Sequence, residues 1–135
     1  MVKSLLGLVF GIFISQFAFA QEVEMNTLIK RLKEPIYGRN CGFAGVDPED
    51  RTRIERLIQF KDTLAIFPWL YDEDPALQTY GVEAVIRLEK GGMVMPLRIR
   101  KLVAELRKSA TMVNICMGCN FDALPMHLAL EGSAP

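Results

Sequence analysis

The sequence predicts an all-α protein, a single domain of five or six short helices in an orthogonal or hairpin-stacked array. Three observations predict it. Apolar residues recur at three- and four-residue spacing in the stretches holding Ile54, Leu57 and Ile58, then Leu77 to Leu88, then Ile99 to Leu106. Acid-proline pairs, Asp47-Pro48 and Asp74-Pro75, twice mark a helix start, because the carboxylate can accept from free amides and proline suits the first turn. Pro35, Pro96 and Gly91-Gly92 cut the pattern into short pieces, since proline cannot continue a helix and glycine favours its C-terminal stop.

The first segment reads as an export leader. Lys3 supplies the basic start, Leu5 to Ile14 an apolar run, and Ala18-Phe19-Ala20 the small-x-small pattern of a cleavage site, so cleavage is expected after Ala20. Ser15 and Gln16 interrupt the run and no basic cluster follows, which disfavours a membrane anchor. The expected organisation is a leader over 1–20, an N-terminal helix and Gly-rich cysteine loop over 21–46, a helical body over 47–131 and a tail over 132–135. The mature chain is expected to be periplasmic or secreted, where disulfides form. With 16 basic and 16 acidic residues in the whole chain, nucleic-acid binding has no electrostatic support, and no membrane contact is expected once the leader is gone.

Beyond Gln21, Leu28, Ile29 and Leu32 predict a short helix from Thr27 to Glu34, ended by Pro35. Ile36 to Val46 holds Gly38, Gly42 and Gly45 around Cys41 and reads as a loop, which Phe43 and Val46 should pack against the body. Asp47 is the expected cap of the next helix. Ile54, Leu57 and Ile58 form its buried stripe, leaving Arg51, Arg53, Glu55 and Arg56 on a solvated face. Leu64 to Leu70, with Trp69, is expected as helix broken at Pro68. From Pro75 to Glu89, Leu77, Tyr80, Ala84 and Leu88 share one face while Val82 and Ile86 lie opposite, so this helix should be buried on two sides and central. Pro96 opens a helix whose stripe is Ile99, Leu102, Val103 and Leu106. Thr111 to Ile115 is either extended or a frayed helix end, Cys116 to Asn120 must turn, and Asp122 to Leu130 is expected as a last helix carrying Leu124, His127, Leu128 and Leu130. The expected core is Trp69, Leu70, Leu77, Tyr80, Ala84, Leu88, Leu102 and Leu106.

The stretch from Ile58 to Leu88 resembles a HEAT-type helical repeat. The likeness lies in a first apolar helix ending at Trp69-Leu70, the turn Asp72-Glu73-Asp74-Pro75, and a second helix with Tyr80-Gly81 and Ala84-Val85. Pro68 and Gly81 depart from the pattern, and no second or third copy follows, whereas solenoids need about three repeats to bury a continuous face. With its leader, Cys41-Gly42-Phe43-Ala44-Gly45 and Cys116-x-Gly-Cys119, the chain is also similar to small exported bacterial helical proteins. The resemblance implies a HEAT-like hairpin array and an exported address, and no activity.

Catalytic sets are scarce. After the leader the chain keeps Ser109, Ser133 and a single histidine, His127, so a Ser-His-Asp arrangement has little to draw on, and no Gly-Lys-Ser or Gly-Lys-Thr phosphate loop occurs. Three fates compete for the cysteines. Cys41 can bond Cys116 or Cys119 and tie the Gly-rich loop to the C-terminal turn; Cys116 and Cys119 can form a redox-active pair; or Cys41, Cys116, Cys119 and His127 can bind zinc as a Cys3His site. The expected function is an exported α-helical structural or protein-interaction module with a protein partner, no catalytic residue and no cofactor. The alternative is a thiol-disulfide or zinc-binding role for Cys41, Cys116 and Cys119.

Overall fold

The structure, a computed structural model, describes residues 34–132; the leader and nearly all of the helix expected from Thr27 lie outside them. The all-α expectation is overturned. Among the described residues, five α-helices and a 3-10 helix pack with a three-stranded mixed sheet, in the order β1 (Tyr37–Arg39), α1 (Glu49–Gln59), α2 (Thr63–Ile66), the 3-10 helix (Phe67–Tyr71), α3 (Pro75–Lys90), α4 (Leu97–Leu106), β2 (Met112–Met117), β3 (Asn120–Pro125) and α5 (Met126–Gly132). Ile58 to Leu88, the stretch that resembles a helical repeat, holds the end of α1, all of α2, the 3-10 helix and most of α3.

α3 is the centre, and the capping residues explain its start. Asp74 accepts from the amides of Ala76 and Leu77 at 2.8 and 3.3 Å, Pro75 fills the first turn, and Arg87 and Lys90 sit at the end where the helix dipole favours cations. Every residue from Thr79 to Val85 is buried, so the expected two-sided burial is present. Trp69 packs edge-on against Tyr80, and Leu70, Tyr80, Ala84 and Leu88 are buried as expected. Leu77, Leu102 and Leu106 are only partly buried at the margin of the core. Their places are taken by Ile54, Ile66, Ile99, Val103, Val113 and Met126.

The sheet was hidden in the segment that the helical expectation covered least firmly. Met112 to Met117 alternates, with Val113 and Ile115 turned onto the core and Met112 and Asn114 exposed, as a strand with one buried face requires. Gly118 and Cys119 form the two-residue turn into β3; Gly118 has φ +59, the left-handed value that such hairpins place on glycine. The helix expected over Asp122 to Leu130 is therefore strand up to Pro125 and helix only from Met126. Leu124 and Leu128 share helical spacing but lie on opposite sides of that boundary.

β1 is only three residues long and pairs in parallel with β2, Gly38 opposite Cys116. A Cβ on Gly38 would overlap the Cys116 carbonyl oxygen and Sγ, so glycine is what lets the two strands approach. The β1 edge is covered by the helices, and the β3 edge is blunted. On β1 the Gly38 amide donates to the Tyr80 hydroxyl at 3.0 Å and its carbonyl accepts from Arg51 Nε at 3.0 Å. On β3 the Ala123 amide donates to the Asp122 carboxylate, and Pro125 has no amide hydrogen to offer.

Three local expectations fail for stated reasons. Asp47 does not cap α1: Pro48 holds that position, and the Asp47 carboxylate takes the Asn40 amide at 2.7 Å. Phe43 is fully exposed and Val46 largely so, because the bridge between Cys41 and Val46 turns the loop outward. Arg51 and Glu55 leave the solvated face that α1 was expected to give them, for reasons set out below.

Ala84 has no exposed surface and Arg98 is exposed. Ala84→Asp is expected to lose several kcal/mol, as an unpaired buried charge does, whereas Arg98→Asp should stay within about 0.5 kcal/mol of the parent in urea unfolding.

Candidate functional site

Arg51 points inward from the first turn of α1 and is completely buried. Its guanidinium meets Glu83 of α3 through two parallel hydrogen bonds, Nη1 to Oε1 at 2.8 Å and Nη2 to Oε2 at 2.9 Å, the fork geometry that guanidinium and carboxylate share. The ring of Tyr80 lies 4.6 Å and that of Tyr37 5.3 Å from the Arg51 guanidinium carbon, and the two rings, 4.8 Å apart, together offer the cation aromatic surface on one side. The Tyr37 hydroxyl donates to Glu83 Oε2 at 2.7 Å. Around this pair, Glu55 is held by Arg87 through bonds of 2.7 and 3.0 Å, and Arg39 of β1 closes onto Glu55 and lies 3.7 Å from Glu83. Among the described residues no buried side-chain nitrogen or oxygen lacks a partner.

Burial alone would raise the Glu83 carboxyl, but its hydrogen bonds and charge contact with Arg51, aided by the Tyr37 hydroxyl, hold it below the ordinary range. Glu55 is likewise held low against its own burial, chiefly by Arg87. Arg51 rises despite desolvation because Glu83 binds its charged form. Burial pushes the Tyr80 phenol up to about 12. Each shift fixes the charge state that neutral pH already favours.

The cysteines divide in a way that the sequence left open. Cys41 and Cys116 form a disulfide, with Cα atoms 5.5 Å apart across 75 residues, and Cys119 is free and exposed in the hairpin turn. The loop is tied a second time by the Gly42 amide, which donates to the Gly118 carbonyl at 2.8 Å. His127 lies elsewhere, its Nδ1 3.0 Å from the Ser109 carbonyl oxygen. Among the described residues no three His, Cys, Asp or Glu side chains converge as metal ligands. The disulfide fits an oxidising compartment, and no helix of the described residues is long and apolar enough to cross a membrane.

Beside the charge network opens a cavity of about 550 Å3, within the range of small-molecule sites. Its apolar wall consists of Ile115, Met117, Leu124, Leu128 and Ala129, from the inner part of the hairpin and from α5. Its charged end consists of Arg39, Arg51, Glu83 and Arg87. No protein-family model, curated protein or solved structure matches the chain.

None of these charged residues was a sequence-based site candidate. The available signal was a pair of i, i+4 couples, Arg51 with Glu55 and Glu83 with Arg87, the second embedded in a helix whose apolar residues lie on two faces. A glutamate between Val82 and Ala84 on such a helix needs a buried counter-charge.

Glu83→Gln should cost about 3–5 kcal/mol, because it leaves Arg51 buried without its counter-charge. Depressed folded-state carboxyls stabilise fully above the ordinary glutamate value of 4.5 and lose that contribution as pH falls through the folded value. The parent protein should therefore weaken progressively below about pH 4.5, with a shallower acid slope in Glu83→Gln, read from urea midpoints across pH. Cys41→Ser should remove up to about 4–5 kcal/mol, the chain-entropy value for a loop of this length, and the parent in reductant should match it.

Proposed function

We propose that the protein is an exported, disulfide-stapled binding module without catalytic activity of its own, and that the cavity beside the Arg51–Glu83 pair is its recognition surface. The observation that carries this reading is the charge network. Glu55 and Glu83 are held low and Arg51 and Arg87 are raised, so the ion pairs at the charged end of the cavity keep fixed charges at neutral pH. Proton transfer calls for a group poised near the working pH, whereas binding and orienting a partner calls for fixed charge on a rigid frame. Export is supported by the leader pattern ending at Ala20 and by the disulfide, which a reducing cytoplasm would not preserve.

One observation favours a second reading. Cys119 is an exposed thiol three positions from the disulfide-bonded Cys116, an arrangement open to thiol-disulfide exchange. Production of the full chain in a bacterial host, followed by intact-mass analysis and an insulin-reduction assay, separates the two. The expected result is a chain starting at Gln21, with one disulfide, one alkylatable thiol and no turnover above free glutathione. Turnover that disappears in Cys119→Ser would replace the binding-module reading with the redox one.

A further inference from the structure

The network that closes one end of the cavity is not charge-neutral. Three guanidiniums, those of Arg39, Arg51 and Arg87, face two carboxylates, those of Glu55 and Glu83. The members are unequally committed. Arg51 uses its fork on Glu83 and its Nε on Gly38, and Arg87 uses both terminal nitrogens on Glu55. Arg39 touches the network only through Nη2, with no hydrogen bond from Nη1 or Nε among the described residues, and its side chain is 47% exposed. The surplus positive charge therefore resides at the member that faces the cavity and water. Opposite it, the wall of Ile115, Met117, Leu124, Leu128 and Ala129 offers only apolar contact.

We infer that the cavity binds a small amphiphile made of a single carboxylate head on an unbranched hydrocarbon tail, the head paired with Arg39 and the tail laid along β2, β3 and α5. A monoanion matches the one uncompensated charge. A dianion would exceed it, and a cation would meet Arg39 head-on. Nη1 and Nε of Arg39 carry N–H groups that point away from one another, so a carboxylate can take a charge-assisted hydrogen bond from either while Nη2 stays on Glu55. A tail of about ten carbons would gain from desolvating the wall, which an acetate-sized ligand could not. This inference rests on the cavity being the recognition surface.

The test is isothermal titration calorimetry of the full mature chain at neutral pH with decanoate below its micellar concentration, alongside 1-decanol, decyltrimethylammonium and acetate. Decanoate should bind at one site, with the alcohol about tenfold or more weaker because the charge-assisted bonds are lost, and with no heat from the cation or from acetate. Arg39→Ala should weaken decanoate by about tenfold or more, Arg39→Lys by less, and Leu128→Glu, at a position already 42% exposed, should abolish binding; all three should retain the parent's thermal midpoint within a few degrees. Equal binding of decanoate and the decyl cation, indifference to Arg39→Ala in a folded protein, or no decanoate binding at all would each overturn the inference. Absence of decanoate binding together with absence of insulin turnover would remove this ligand class alone, whereas Cys119-dependent turnover would remove the binding-module reading beneath it.

Discussion

The fold depends on a cation with no access to water. A buried guanidinium carries a desolvation cost of several kcal/mol, and only a well-made set of partners offsets it. Glu83 supplies the counter-charge, two aromatic rings supply polarizable faces, and the Gly38 carbonyl accepts the remaining Nε bond. In meeting that demand Arg51 joins three elements that local propensity would not bring together: α1, α3 and a three-residue strand too short to hold its place by ladder hydrogen bonds. Apolar residues of similar size can supply comparable stability, but they would not fix the register of β1 or the tilt of α1 in the same directional way. The pair thus trades some stability for geometry.

The elements legible in the sequence were those whose cause is local. Proline-led starts, the Asp74 cap and the double-faced apolar pattern of α3 all act within one or two helical turns, and α1, α3 and α4 follow them closely. β1 has no local cause. Tyr-Gly-Arg becomes a strand because Cys116 and its neighbours lie alongside, far along the chain, and because Tyr80 and Arg51 close its other edge. The hairpin was readable in principle, from Val113 and Ile115 alternating with polar or exposed residues and from glycine in a two-residue turn. The cysteine spacing of its turn is shared by metal and redox sites and overlies the strand periodicity, and Pro125 is the boundary between strand and helix.

For the site the division is similar. The sequence brought the Gly-rich loop and the Cys116 segment together, since a loop with so few apolar residues needs a cross-link, and Cys41 does bond Cys116. It missed the cavity and the network beside it. Four arginines and glutamates at helical spacing have the composition of a wet surface, and what turns them inward is the match between helices whose contact residues lie 32 positions apart, Arg51 with Glu83 and Glu55 with Arg87. Long-range complementarity of this kind leaves only a faint local trace, a charged residue flanked by fully buried neighbours.

The parallel pairing of β1 with β2 also sets an order of events as the chain folds. Contacts among α1, α2, the 3-10 helix and α3 span shorter stretches of chain than the pairing of β1 with β2 and can form as soon as those segments are available. The first strand, by contrast, has no partner until the hairpin near the other end has emerged, and closing so long a loop carries an entropic cost that local structure has not yet offset. In a chain delivered across a membrane from its N-terminus, Cys41 would emerge well before Cys116, and the native cross-link would have to wait for the hairpin that carries its second sulfur.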